Sequence, residues 1–248
     1  SRSPRTKLSL TCAGGARRHM PLIEFRKAAV TYDGEPVLQP LTVSLAEQRI
    51  GIIGSNGSGK STTVRMINGL IEPTSGEVLY DGLSPQSDGK EIRKRVGFVF
   101  SDAESQIVMP RVADDVAFSL RRFKLQRDEV RRRVTEALDR FELADRAEHS
   151  PHTLSGGEKQ MLALASVLVI QPDTIIADEP TTLLDLRNRR RIVRELLALQ
   201  QQLIVVTHDL EMLREFERVL VIDDGSLVFD GAPSDAIEFY TDLMDAKP

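Results

Sequence analysis

Gly54-Ser55-Asn56-Gly57-Ser58-Gly59-Lys60-Ser61 follows the apolar run 50–53 and opens a helical pattern that continues to about residue 68. A strand, a glycine-rich turn and a helix in this order form the context in which such spacing binds phosphate. The glycines let backbone amides wrap an anion, and the helix N-terminus adds positive potential. Lys60 is placed to reach the β- and γ-phosphates and the Ser61 hydroxyl to ligate Mg²⁺, with Gly54, Ser55, Asn56, Gly57, Ser58, Gly59 and Thr62 completing the expected nucleotide contacts.

Upstream, apolar and polar residues alternate over 22–32 and 37–45 around the turn Asp33-Gly34-Glu35-Pro36, which predicts an antiparallel β-layer. Downstream, a short strand pair is expected near 76–81 and a buried strand over 96–100. An Arg-rich helical stretch over about 112–141, broken near 126–128, reads as two helices of a lobe spanning about 102–157. The pattern then alternates: helix 156–169, strand 174–177, helix 185–200, strand 203–207, helix 210–216 and strand 219–222. Such alternation predicts an α/β fold with a parallel sheet and its ligand at the carboxyl ends of the strands, and the phosphate loop at 54–61 makes a P-loop NTPase core the expected form.

Composition narrows the class. With 41% hydrophobic and 28% charged residues over 248 positions, one globular domain over 20–248 is expected. The longest apolar run, 161–170, is too short to span a bilayer, so a membrane role requires a membrane partner. The acidic net charge of −4 and the lack of Trp argue against nucleic-acid binding. The only cysteine, Cys12, permits neither a disulfide nor a cysteine metal site within the chain. Residues 1–19 carry Arg2, Arg5, Lys7, Arg17 and Arg18 without an acid and form a basic outlier, read as a disordered or appended tail outside the fold.

Two further motifs bear on chemistry. Thr174-Ile175-Ile176-Ala177-Asp178-Glu179 is an apolar strand ending in two carboxylates. Beside a phosphate loop, Asp178 is expected to hold the Mg²⁺ shell, through water, and Glu179 to polarise the attacking water. Leu154-Ser155-Gly156-Gly157-Glu158 opens an apolar helix, with Ser155 as N-cap and Glu158 as its capping-box partner. Joined to the other two motifs, this stretch resembles the signature sequence of the ATP-binding cassette family, and the resemblance runs from about residue 22 to 231.

The resemblance implies an ATPase that works as a head-to-tail dimer, homo- or heteromeric. Each ATP would lie between one phosphate loop and the partner's segment of Ser155, Gly156, Gly157 and Glu158. It also implies that Tyr32 stacks on adenine, that Asp185 sits at the dimer interface and that His208 contacts the γ-phosphate. Read locally, the same three residues are a strand-face aromatic, a helix N-cap and a strand-end cap. The pattern departs from the family at Ser101, where a glutamine normally reaches Mg²⁺. Ser is too short for that reach, so Asp102 or a water held by Ser101 is expected to substitute.

The stretch Glu104-Ser105-Gln106-Ile107-Val108-Met109-Pro110 with Asp114-Asp115-Val116-Ala117-Phe118 is similar to that of energy-coupling-factor importers. That similarity implies a vitamin, cobalt or nickel importer, with two cassettes, a transmembrane coupling subunit and a substrate-binding membrane subunit. The chain would sit on the cytoplasmic face of the membrane. Its short C-terminal region resembles biotin-uptake cassettes more than cobalt ones. Asp114 and Asp115 are read either as a docking pair for basic helices of the coupling subunit or as a solvated helix start. The runs 131–133 and 189–191 of arginines read as exposed helix faces. The competing readings are a soluble cassette ATPase outside transport, a cassette of another importer or exporter class, and a nucleotide-binding regulator that does not hydrolyse.

Overall fold

The computed structural model describes residues 20–182 and 184–247, so the basic tail 1–19 lies outside the described residues. In chain order the strands are β1 (Ile23–Tyr32), β2 (Glu35–Leu45), β3 (Arg49–Ile53), β4 (Ser75–Tyr80), β5 (Val96–Val99), β6 (Thr174–Asp178), β7 (Gln202–Val206), β8 (Arg218–Asp223) and β9 (Ser226–Gly231). The helices are α1 (Lys60–Ile67), α2 (Pro85–Arg95), α3 (Ala103–Gln106), α4 (Val112–Leu120), α5 (Arg127–Arg140), α6 (Gly156–Leu168), α7 (Leu186–Leu197), α8 (Leu210–Leu213) and α9 (Pro233–Asp245).

The strands form two sheets. One is antiparallel, in the order β2-β1-β4; the other runs β5-β6-β7-β3-β8-β9 and is parallel except for β9. Both faces of the larger sheet are covered, which explains why its strands read as continuous apolar runs. Side chains alternate between two cores: Ile50, Ile52, Ile176, Ile204, Val206 and Leu220 face the antiparallel sheet and α1. On the other face, Ile175, Ala177, Leu203, Val205, Val219 and Val221 pack with α6, α7 and α9. The helical lobe of α4 and α5 joins this second core through Val112, Val116, Val134 and Leu138.

Several expectations change. The strand pair expected near 76–81 is the single strand β4, which pairs with the free edge of β1 in the register Ile23↔Tyr80 and Phe25↔Val78. Helices α2, α3 and α9 and strand β9 lie in stretches where the sequence reading placed no element. Strand β3, which delivers the phosphate loop, sits between β7 and β8, with Ile50 opposite Ile204 on one side and Arg218 on the other.

Candidate nucleotide site

The loop between β3 and α1 is shaped by close approach. At Gly54 φ is +156°, and a Cβ there would fall onto the Ile222 carbonyl oxygen at the end of β8. At Gly59 φ is +99°, and a Cβ would lie 2.9 Å from the Val37 carbonyl. The turn after β8 closes the back of the loop, its Gly225 N–H donating to the Ser58 carbonyl at 3.0 Å. No acidic residue occupies the first turn of α1, so no carboxylate of the helix itself competes for its amides.

Lys60 is buried and folds back on the loop, its Nζ donating to the carbonyls of Gly54 at 2.9 Å and Ser55 at 2.8 Å. Burial holds its pKa below the ordinary lysine value, opposed by the charges of Glu179 and Asp178. Two carbonyls are weak partners for a buried ammonium, and an anionic phosphate is a better one. The buried Ser58 Oγ has no hydrogen-bond partner among the described residues and sits within the same loop. An orphaned hydroxyl beside an underused ammonium fits a loop that receives phosphate oxygens.

The acids arrive from β6. Asp178 Oδ1 accepts the Ser61 hydroxyl at 2.8 Å, and Oδ2 accepts Arg65 Nη2 at 3.0 Å. Ser61 and Asp178 thus present hard oxygen donors together, a donor set that suits Mg²⁺. Glu179 has φ +53°, a left-handed backbone that costs a non-glycine residue about 1–2 kcal/mol. Its N–H is held by the Val206 carbonyl at 2.8 Å, and its carboxylate lies 2.9 Å from His208 Nε2. Burial raises the Glu179 pKa above the usual range, and His208 and Lys60 pull it back. Lys60, Ser61, Asp178, Glu179 and His208 therefore converge at the carboxyl ends of β3, β6 and β7. Tyr32 ends β1 at the turn into β2 and is 51% exposed.

The signature residues stand elsewhere. Ser155 caps α6 in a capping box with Glu158, Ser155 N–H to Glu158 Oε2 being 2.8 Å and Glu158 N–H to Ser155 Oγ 3.3 Å. Among the described residues, no hydrogen bond joins 155–158 to 54–61. A Cβ on Gly156 would meet nothing within 4 Å, whereas on Gly157 it would overlap the Asn188 amide. Asn188 in turn holds Asp185, its N–H donating to Oδ1 at 2.8 Å and its Nδ2 to Oδ2 at 2.9 Å. Asn188 thus connects the expected interface aspartate, which it follows by one helical turn, to the signature glycine, a link the sequence reading missed because Gly157 lies in a distant segment.

After β5, Ser101 is half-buried, and Asp102 caps α3 by accepting the Glu104 N–H at 3.0 Å. Gln106 turns back on the strand: Oε1 accepts the Phe100 N–H at 3.2 Å and Nε2 donates to the Phe98 carbonyl at 3.1 Å. Asp115 is neither solvated nor available for docking. It is 4% exposed, and its carboxylate accepts the N–H groups of Val108 at 2.8 Å and Met109 at 3.0 Å and the Ser166 hydroxyl at 3.3 Å. A buried carboxylate needs such donors, so Asp115 shapes the segment before α4 while Asp114 pairs with Arg111 at 2.7 Å.

The family described as ABC transporter matches residues 38–182. A Deinococcus radiodurans protein carrying an ABC transporter ATP-binding name is 50% identical over 223 residues, covering 90% of this chain and 99% of its own length. The biotin transport ATP-binding protein BioM of Rhizobium etli is 44% identical over 221 residues, covering 89% of this chain and 98% of its own length. The energy-coupling factor transporter ATP-binding protein EcfA of Methanothermobacter thermautotrophicus is 38% identical over 230 residues, covering 89% and 73%. Among solved structures, cbiO1 of Clostridium perfringens, part of the ABC transporter complex cbiONQ, superposes with a TM-score of 0.78 at 30% identity, covering 91% of this chain and 94% of its own.

Proposed function

This chain belongs to the ABC transporter family, and from that premise we propose that it powers an importer of a vitamin, biotin first, from the cytoplasmic face of a membrane. It is an ATP-hydrolysing transporter subunit of energy-coupling-factor type. The observation that carries the mechanism is the convergence of Lys60, Ser61, Asp178, Glu179 and His208 around one loop. ATP enters with its phosphates against the loop amides and the Ser58 hydroxyl, and Lys60 exchanges two carbonyls for phosphate oxygens. Ser61 and Asp178 would hold Mg²⁺, which when bound neutralises charge on the β- and γ-phosphate oxygens. Glu179 accepts the proton of the attacking water, and His208 holds that carboxylate in place. Tyr32 offers a ring to adenine. The separation of Ser155 from the loop within one chain supports closure by a second cassette, whose capped helix would face the γ-phosphate.

A surface beside the site suits the membrane partner. Leu70, Val108 and Phe118 are 48%, 61% and 42% exposed and line one groove with Phe100, Arg93 and Arg122, between the end of α1, β5 and α4. Contiguous apolar side chains of this size left in solvent mark an interaction face. The groove also contains Gln106, which is bonded to the backbone on the near side of Ser101, so a partner seated there would press on the segment that leads to the site. The test is purification of the tagged chain from its native membranes in mild detergent. Two very hydrophobic subunits in fixed ratio are expected, one of them carrying biotin binding. The double variant V108D/F118D is expected to lose at least about ten-fold of that co-purification while retaining ATP affinity. Recovery of the chain from the cytosol alone, or with ribosomes or DNA, would sink the transport reading and leave the ATPase.

Ser101 separates ATP turnover from the membrane partner on this reading. Because Asp102 is committed to capping α3, a water held at Ser101 is the remaining substitute for the missing glutamine. Ser101→Gln is expected to raise ATPase activity of the isolated chain several-fold, on the order of 1 kcal/mol in the barrier. Unchanged steady-state kinetics would count against a role for this position.

A further inference from the structure

We propose that Lys247, which follows α9, is a positioning residue for the phosphate loop: it neutralises the buried carboxylate of Asp223, which would otherwise repel the triphosphate. This rests on the reading of residues 54–61 as the triphosphate cradle. Strand β8 runs parallel beside β3, so Asp223 emerges next to the loop and its Oδ1 accepts the Ser55 hydroxyl at 3.1 Å. Asp223 is only 8% exposed. An acid there serves the fold by holding Ser55, but it also places a negative charge, poorly screened by water, against the site of a polyanion. Lys247 Nζ donates to both of its oxygens, each at 2.7 Å. The nearby Asp224 is 3.9 Å from the same ammonium and is exposed, so water screens it.

Helix α9 is built to deliver this cation. Pro233 begins it, Ala236 is fully buried, and Phe239 stacks on Phe229 of β9 with ring centroids 5.1 Å apart. The Tyr240 phenol is held above its ordinary pKa by burial, with the charges of Asp223 and then Glu179 adding to the rise. Tyr240 on α9 therefore lies within electrostatic reach of both Asp223 and Glu179. The groups facing Asp223 are Ser55, Lys247 and Tyr240, and Lys247 is the one cation bonded to it among the described residues.

The test measures MgATP binding by calorimetry on the full chain. Lys247→Ala is expected to weaken ATP binding about ten-fold, and Lys247→Arg to recover affinity to within about two-fold of the parent. Asp223→Asn alone is expected to bind ATP at least as tightly as the parent, and the K247A/D223N double variant to regain most of the loss. A purely structural ion pair predicts the opposite for Asp223→Asn, since removing either partner alone would then weaken binding. Parent-like binding by K247A, or a loss that persists in the double variant, overturns the proposal. So does a K247A chain that is largely unfolded at the assay temperature without nucleotide. Lys60→Ala is the separate control: if it binds ATP like the parent, the reading of the cradle itself fails, and the role of Lys247 falls with it.

Discussion

Glu179→Gln is expected to lower ATP hydrolysis at saturating ATP by roughly two to three orders of magnitude while leaving ATP binding within about three-fold of the parent. Glutamine has nearly the same shape and keeps a hydrogen-bonding oxygen for His208, 2.9 Å away in the parent, but it cannot accept a proton from water. Loss of turnover without loss of binding is the signature of an interaction made only in the transition state. The carboxylate pKa is raised by burial, so in the parent the acid limb of the rate profile should lie above the ordinary carboxylate range. Below that limb the protonated acid cannot act as base; above it the rate reaches its plateau. Phosphate release and nucleotide binding measured on both proteins decide the matter. Residual turnover above about a tenth of the parent's would remove Glu179 from the base role.

Gly54→Ala is expected to destabilise the fold by about 3–5 kcal/mol, the sum of an overpacked contact and an unfavourable backbone. The added methyl falls on the Ile222 carbonyl and within 2.8 Å of Ser58 Oγ, so β8 and the phosphate loop must part to admit it. In a domain of this size the melting temperature should fall by roughly 10 °C, at about 2–4 °C per kcal/mol. Gly57→Ala is the matched control. Its φ is +78°, but no atom lies within 4 Å of the new methyl, so backbone strain alone should cost about 1 kcal/mol. Equal melting temperatures for the two variants would show that the loop is not wedged against β8 as the geometry requires.

What the sequence discloses and what it hides divide along the range of the interactions. The phosphate loop, the acidic end of β6 and the capping box at Ser155 are legible because each is a contiguous stretch whose residue types follow from local backbone geometry. The cover of β4 on β1 is not, because the pairing Phe25↔Val78 joins distant segments and leaves no local trace. Helix α2 escapes notice because Ile92 is its only large buried apolar side chain, which gives no period to read. Strand β9 is half-exposed along its length, and its alternation is correspondingly faint. Asp115 looks from its neighbours like a solvated helix start; its burial is set by the Val108–Met109 turn and by Ser166 on α6. Asp223 and Lys247 form no motif, since only the docking of α9 brings them together.

The placement of β3 between β7 and β8 also constrains how the protein is made. Ile50 and Ile52 leave the ribosome before their cross-strand neighbours Ile204, Val206, Arg218 and Leu220, which follow only after the helical lobe of α4 and α5 has been made. At elongation rates of roughly 5–20 residues per second that interval is on the order of ten seconds. Throughout it, the glycine loop and the central strand have edges with no permanent partners, a state that invites mispairing between nascent chains. Nucleotide cannot stabilise the nascent protein in that interval either, since the back wall of its pocket, at Ile222 and Gly225, is made after β7.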